Sequence, residues 1–227
     1  PWLETTFPEV GIIKLDRNYG FAGGYNRALM QLEANYFLLL NSDVKVTSNW
    51  LRPLIEAMDS NPLLAACSPK IKAHEQPDFF EYAGAAGGYM DKNGYAFCQG
   101  RIFESIEHDY GQYDKPADVF WTTGACMMIR GPLFKLAGGF DDSYFAHFEE
   151  IDLCWRLKNR GYAFQYIPYS SVFHVGGGTL SQSSPRKTYL NFRNNLFTLY
   201  KNLPQNKLFT TLLRRLILDQ LSAVRFL

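Results

Sequence analysis

Tyr36-Phe37-Leu38-Leu39-Leu40 runs without a charged residue straight into Asn41-Ser42-Asp43. A short apolar run stopped by small polar residues reads as a strand buried on both faces, the kind found in parallel sheets. That confines the chain to an α/β architecture, in which ligands sit beyond the carboxyl ends of the strands. A carboxylate fixed at such an end can meet a divalent cation, and the cation a phosphate. Taken alone, Asn41-Ser42-Asp43 reads equally well as a polar turn that caps the next helix.

With 227 residues there is room for one substantial α/β domain and an appended piece, divided here at 1–182 and 183–227. Lys+Arg 23 against Asp+Glu 22 gives a formal charge of +1, which argues against a broad nucleic-acid footprint. Cys67, Cys98, Cys126 and Cys154 are scattered with no CxxC pair, as expected of buried thiols in a reducing compartment. No apolar run approaches membrane-spanning length.

Along the chain, Leu3 and Phe7 read as the last turn of a helix and Val10 to Leu15 as a strand. Asn18 to Leu29 then reads as a glycine-rich loop leading into a helix. Gly23 and Gly24 there would let backbone N–H groups approach a phosphate, or simply serve a tight loop. Thr47 or Ser48 caps a helix that runs to about Asp59 with Trp50, Leu54, Ile55 and Met58 on one face, and Leu64 to Ser68 is a further strand. The glycines between Lys70 and Lys115 predict hairpins and a long loop, to which no residue-level role is assigned.

Val119 to Arg130 reads as a kinked strand and Pro132 to Ala137 as a short helix. Glu149, Glu150 and Asp152 then open a helix, where carboxylates complement the macrodipole but repel one another. Ala163 to Ile167 and Ser171 to His174 read as two extended pieces, the second ending at Gly176-Gly177-Gly178. Tyr189, Phe192, Leu196 and Tyr200 mark the apolar face of a helix carrying Arg193. A last helix, Leu208 to Leu227, sets Arg214, Arg215 and Arg225 among leucines and either docks on the domain or lies on a membrane surface.

Four of these stretches, Asn18–Leu29, Leu38–Val44, Gly124–Arg156 and His174–Gly178, occur in the order found in family 2 glycosyltransferases of the GT-A fold. The chain resembles the rhamnosyltransferase-like branch of that family, most specifically in Gly-Gly-Phe-Asp followed by Phe-Glu-Glu-Ile-Asp-Leu-Cys-Trp-Arg. The resemblance implies a mostly parallel mixed sheet flanked by helices, with further helices at the C-terminus. It implies an inverting, metal-dependent transfer of a sugar from a dTDP- or UDP-sugar to a glycan or lipid-linked acceptor.

In that reading Asp43 and His174 ligate Mg²⁺ or Mn²⁺, and Asn41 stands in the first place of the DxD-type motif. Glu150 is the general base, in a position where most members of the family carry Asp. Asn18, Gly23, Gly24, Asn26, Asn41 and Ser42 face the donor. Trp121, Thr122, Gly124, Glu149 and Asp152 face the acceptor, and Arg193-Asn194 matches a recurrent pair of unassigned role.

Such enzymes open with a strand, a helix and a nucleotide-base-binding segment. Pro1 to Val10 resembles the stretch just downstream of that segment, so the expectation is a chain lacking its N-terminal base-binding portion. The location expected is cytoplasmic, with peripheral contact at the inner face of the membrane through the last helix. Two readings compete: a non-catalytic nucleotide-sugar-binding remnant, and a nucleotidyltransferase, for which Arg27 is the sole basic candidate facing phosphates.

Overall fold

The computed structural model describes residues 2–82, 85–102, 105–175 and 185–224. Helix α1 (Trp2–Thr6) and helix α2 (Gly20–Leu29) precede strands β1 (Tyr36–Leu40) and β2 (Val44–Val46), helix α3 (Leu51–Ser60) and strand β3 (Leu64–Ala73). Short strands follow as β4 (Gly88–Met90), β5 (Ala96–Cys98), β6 (Arg101–Ile102), β7 (Ser105–Ile106) and β8 (Ala117–Asp118). Strand β9 (Cys126–Arg130), helix α4 (Gly131–Leu136), helix α5 (Glu149–Lys158) and strand β10 (Ala163–His174) complete the body. Helices α6 (Pro185–Asn202) and α7 (Gln205–Ala223) close the described chain.

The main sheet has the order β1-β9-β3-β10-β2, with β8 paired to β10 off that path. It is mixed and flanked by helices, as expected, but among the described pairings only β3–β10 is parallel. The expectation of a mostly parallel sheet is corrected accordingly. Strand β3 sits between two neighbours and buries eight consecutive residues, Leu64 to Ile71, because both of its faces are covered. Among the described residues strand β1 pairs only with β9, antiparallel, and its burial alternates along the strand. The apolar run at Tyr36–Leu40 therefore belongs to an edge strand and is not buried on both faces.

The two extended pieces expected before His174 are one strand. Its register on β3 slips between Ile167 and Ser171. Pro69 on β3 and Pro168 on β10 lie at that slip. Neither has an N–H to donate to the ladder, so a local break in pairing is the natural outcome. Val10 to Leu15 forms no strand: no ladder runs beside it among the described residues, and Val10, Ile12, Ile13 and Leu15 stay exposed. The glycine-rich stretch is likewise not a loop, since α2 starts at Gly20 and carries Gly23 and Gly24 inside it.

One face of the sheet is covered by α3, whose Leu54 and Met58 are fully buried against Leu64, Cys67, Met128 and Ile167. No side chain caps this helix at its start, where Thr47 instead donates to the Ser171 carbonyl. Its far end is held by Arg130, which donates to the carbonyls of Met58 and Asn61 and so ties β9 to the last turn of α3. The opposite face packs Phe37, Leu39, Met127 and Ile129 against Phe134, Phe140, Leu153 and Leu157.

The boundary expected near residue 182 lies outside the described residues. Beyond it, α6 turns Leu190, Asn194, Asn195, Thr198, Leu199 and Asn202 inward, while Tyr189 and Tyr200 are 61% and 69% exposed. Its buried face is thus mostly amide and hydroxyl, not the aromatic stripe expected from spacing. Helix α7 docks through Thr211 and Arg215 and leaves Phe209, Leu213, Leu216, Ile217 and Leu221 exposed. Arg225 is outside the described residues.

Leu54 makes no contact with solvent, so truncation leaves a hole that the packed sheet face beneath it cannot close. Leu54→Ala is expected to lose about 2–5 kcal/mol in chemical denaturation.

Candidate active site

His174 ends β10, and the antiparallel register of β10 on β2 sets it opposite Val44. That places its ring beside Asp43, 131 positions earlier in the chain, with Nε2 3.2 Å from Asp43 Oδ1. The Val175 N–H donates to the Asp43 carbonyl at 3.1 Å and fixes the backbone of the pair. On its other side His174 Nδ1 lies 3.4 Å from Glu81 Oε1. Burial works to lower the imidazole pKa, but the carboxylates of Glu81 and Asp43 outweigh it and hold the ring above its ordinary value. Among the described residues no group of three or more His, Cys, Asp or Glu side chains is arranged to hold an ion. Among the described residues Asp43 and His174 thus form a pair and not a closed cage.

Glu81 went unassigned in the sequence, in the glycine-punctuated stretch after β3. Its backbone N–H donates to the Ile71 carbonyl at 3.0 Å, which brings a loop residue alongside a central strand. No motif marks it. The same stretch is fastened from beneath by Lys70, whose ammonium is buried between Asp109 and Asp114.

A cavity of about 330 Å³ opens between α5, α6 and the β4–β5 hairpin. Tyr95, Phe97, Trp121, His147 and Glu150 are among the residues lining it. Trp121 is anchored by its indole N–H to the Tyr89 carbonyl at 2.9 Å. Its ring lies flat on Gly88, where a Cβ would come within 2.1 Å of it. Only a residue without a side chain leaves room for the indole there.

Glu150 reaches the cavity through a strained approach. Phe145, His147 and Phe148 have φ of 65°, 69° and 74°, a region that non-glycine residues occupy at a cost of roughly 1–2 kcal/mol each. Phe145 is the centre of a γ-turn closed by the Ala146 N–H on the Tyr144 carbonyl at 2.8 Å. The amide of Asn194, buried on α6, holds the turn in place. It donates to the carbonyls of Tyr144, Ala146 and His147 at 3.1, 2.8 and 2.7 Å. Arg193 adds a bond to the Tyr144 carbonyl at 3.1 Å. Hydrogen bonds worth roughly 0.5–1.5 kcal/mol each together match the strain they oppose. Arg193-Asn194 thus has a structural account that the sequence did not supply: the pair clamps the loop that delivers Glu150.

Burial pushes the Glu150 carboxyl up to about 7, against the N–H groups of the first turn of α5, which favour its ionised form. Its Oε2 is buried and has no hydrogen-bond partner. Glu149, buried beside it, is held well above the carboxylate range by burial and by the charge of Glu150. His147 also lines the cavity, and burial followed by the charge of Lys187 lowers its pKa.

Other residues singled out in the sequence are engaged elsewhere. Asp152 accepts from Tyr144 Oη, Arg156 Nε and Asn202 Nδ2, and so faces the α5–α6 interface and not the cavity. Glu149 is not among the cavity-lining residues; Thr122 is buried against Cys154, and Gly124 backs onto Phe21. Asn26 spends its amide on Phe140 and Asp142 and ties α2 to the turn before α5. Asn18 accepts from the Gly20 N–H, and Gly23 is packed on Tyr19. Gly24 alone of that group has open space beside it. Asn41 takes part through its backbone, on the Ala125 carbonyl, and Ser42 is exposed. Arg27 stacks over the Tyr19 ring at 3.5 Å and lies 3.6 Å from Asp142, so it is occupied locally. Gly176, Gly177 and Gly178 lie outside the described residues.

Residues 3–136 match the family described as Glycosyl transferase family 2. Rhamnosyltransferase WbbL of Escherichia coli is 39% identical over 163 residues, which is 69% of this chain and 61% of that protein. The N-acetylglucosaminyl-diphospho-decaprenol L-rhamnosyltransferase of Mycobacterium tuberculosis is 26% identical over 192 residues, 74% of this chain and 59% of its own length. The chain spans about three-fifths of the length of these curated relatives. Among solved structures, GalNAc-T7 with UDP, GalNAc and Mn²⁺ superposes with a TM-score of 0.61 at 14% identity, over 88% of this chain and 38% of that one. The mannosyltransferase PcManGT of Pyrobaculum calidifontis, with GDP-Man and Mn²⁺, gives 0.55 at 11%, over 87% and 48%. These likenesses identify the fold as GT-A.

Asn194→Ala removes three bonds from the turn while leaving the helix backbone intact. It should lower the melting temperature and free residues 145–148, seen as faster amide exchange confined to that loop. Exchange unchanged there would show that the turn holds itself.

Proposed function

Because the chain belongs to glycosyl transferase family 2, in its rhamnosyltransferase-like branch, we propose that it forms the catalytic part of an inverting transferase acting on a nucleotide-diphosphate sugar. The observation that carries this reading is Glu150, with an unpartnered carboxylate oxygen on the wall of an aromatic cavity of about 330 Å³. An alcohol cannot lose its proton unaided near neutral pH. A carboxylate whose pKa is pushed up to about 7 is matched to that transfer.

The acceptor hydroxyl oxygen attacks the anomeric carbon as the bond from that carbon to the diphosphate breaks. Its proton passes to Glu150, and the nucleoside diphosphate leaves with the bonding pair. Among the described residues lining the cavity Glu150 is the sole carboxylate, which suits one displacement with inversion over two through a covalent intermediate. Trp121 offers a ring face to the acceptor sugar and His147 a neutral imidazole nitrogen.

Asp43 and His174 present one oxygen and one nitrogen side by side, a donor pair suited to Mg²⁺ or Mn²⁺ that keeps waters and donor phosphate oxygens as its other ligands. When bound, such an ion supplies Lewis-acid stabilisation of the departing diphosphate. Glu81 then holds the far nitrogen of His174 and sets the ring. The donor is a dTDP- or UDP-sugar and the acceptor a glycan or lipid-linked sugar. Contact with a membrane surface would fall to α7, whose exposed apolar row is flanked by Lys207 and Arg214. Its single acid, Asp219, is turned onto Arg215 and Tyr95.

Glu150→Gln is expected to reduce transfer by about 10²–10⁴ with donor binding unchanged. Near-parent turnover would mean that the base is elsewhere. Asp43→Asn should abolish the response of turnover to added Mn²⁺, and a titration that overlays the parent would remove Asp43 from the metal site.

The active form of Glu150 is the ionised one, so log kcat/KM for the acceptor should fall with unit slope as pH drops below about 7. Glu149→Gln should leave that limb in place, because burial and not the charge of Glu149 is what raises the Glu150 carboxyl. A limb displaced by a full unit in this variant would show that the two carboxylates share the proton.

A further inference from the structure

Two polar atoms on the cavity wall are buried without a hydrogen-bond partner among the described residues, Glu150 Oε2 and His147 Nε2. The first serves the proton transfer, and nothing inside the protein pairs with the second. Buried polar groups are otherwise paired, so an exception that faces a cavity calls for a partner from outside. His147 is held where it is. Its backbone is left-handed, with φ of 69°, a region that histidine enters more readily than most residues. Asn194 on α6 donates to its carbonyl at 2.7 Å, which fixes the backbone while Nε2 stays unpaired.

Other polar groups of the wall are engaged. Arg215 is spent on Asn195, Asp219 and the Tyr95 ring, and Asn195 also donates to the Gly94 carbonyl at 2.7 Å. Burial, and then the charge of Lys187, lower the His147 pKa. The ring is therefore neutral near pH 7, with one nitrogen a donor and the other an acceptor. A hydroxyl both donates and accepts, so it suits Nε2 in either tautomer. A ligand cation would meet Lys187 on this wall, and a ligand carboxylate would meet Glu150. The group that matches His147 is an uncharged hydroxyl.

We infer that His147 is a specificity-determining residue for the acceptor: its Nε2 pairs with a second hydroxyl of the ring whose attacking hydroxyl gives its proton to Glu150. The inference deepens the transferase reading above and rests on it. The acceptor is then a sugar ring with two free hydroxyls turned toward the start of α5, and a ring blocked at the second of them is rejected. His147 and Glu150 stand three positions apart on the segment that Asn194 clamps, so the reading group and the base are placed together. A site built to bond a hydroxyl discriminates against the analogue lacking it, because the buried atom is left unpaired.

The test is NMR titration of the full chain with the methyl glycosides of glucose, galactose, mannose, rhamnose and N-acetylglucosamine, with and without UDP and Mn²⁺. Trp121 lines the same cavity, so its indole N–H resonance reports occupancy without turnover. At least one glycoside should bind the parent. His147→Phe should weaken that binding about tenfold or more, and His147→Gln, whose amide can meet a hydroxyl, should recover most of the loss. Removing one ring hydroxyl from the same glycoside should weaken binding to the parent by a similar factor and leave binding to His147→Phe unchanged. A purely structural role for His147 would not produce that cycle, since half of it is made on the ligand. The cycle should persist in the Glu150→Gln background. If it does while that variant keeps parent turnover, the base has been misassigned and His147 stands. Failure of every glycoside to shift Trp121 overturns the inference, as do deoxy analogues that weaken parent and His147→Phe alike.

Discussion

The meeting of Asp43 with His174 depends on where β10 ends. One strand of 12 residues pairs with β3, β2 and β8, and its last residue is His174. Because the β2 ladder is antiparallel and in register at Val44, the imidazole can only fall beside Asp43. A slip of one residue would turn it to the opposite face of the sheet. The proline break at Ile167–Ser171 is tolerated because it lies upstream of that register, where it changes the path of the strand and not its end.

A second constraint works through polar packing. The interface between α5 and α6 is built from Asp152, Asn194, Thr198 and Asn202 with Tyr144, all buried and mutually hydrogen-bonded. Such a network has one satisfied arrangement, and every alternative strands a buried polar group. An apolar interface of equal area could slide. This one fixes the approach of the Phe145–Phe148 turn, and with it the direction from which Glu150 enters the cavity. The buried asparagines explain why the acidic cluster does not repel itself apart: Asp152 is absorbed by Arg156 and Asn202, leaving only the Glu149–Glu150 pair, whose carboxyls burial holds above the ordinary range.

What could be read in the sequence was the order of motifs and the identity of elements whose pattern is local. The apolar run before Asp43, the acidic start of α5 and the helix bearing Leu54 and Met58 all came from short-range spacing. What could not be read depends on partners distant in the chain. Glu81 has meaning only through the bridge to Ile71 and the arrival of His174. Asn194 matched a recurrent Arg-Asn pair whose role stayed unassigned until its carbonyl acceptors were placed. Asp152 shared a cluster with Glu150 yet points about two positions further round the helix, into protein. Val10–Leu15 had the composition of a strand, but composition cannot provide the neighbouring ladder that makes one.

These two constraints divide the labour of charge. Glu150 is kept from water and from any partner on one oxygen, which raises its proton affinity until it can act as a base near neutrality. Asp43 faces an imidazole across 3.2 Å at a strand end, where its carboxylate is about 30% exposed and open to further ligands. A carboxylate in Glu150's surroundings holds its proton more tightly and would be the poorer ligand for a cation. Placing one carboxylate on a strained helix start and the other on a sheet edge lets a single fold hold both. The buried Asn194 clamp and the β2–β10 register are what keep those two environments from mixing.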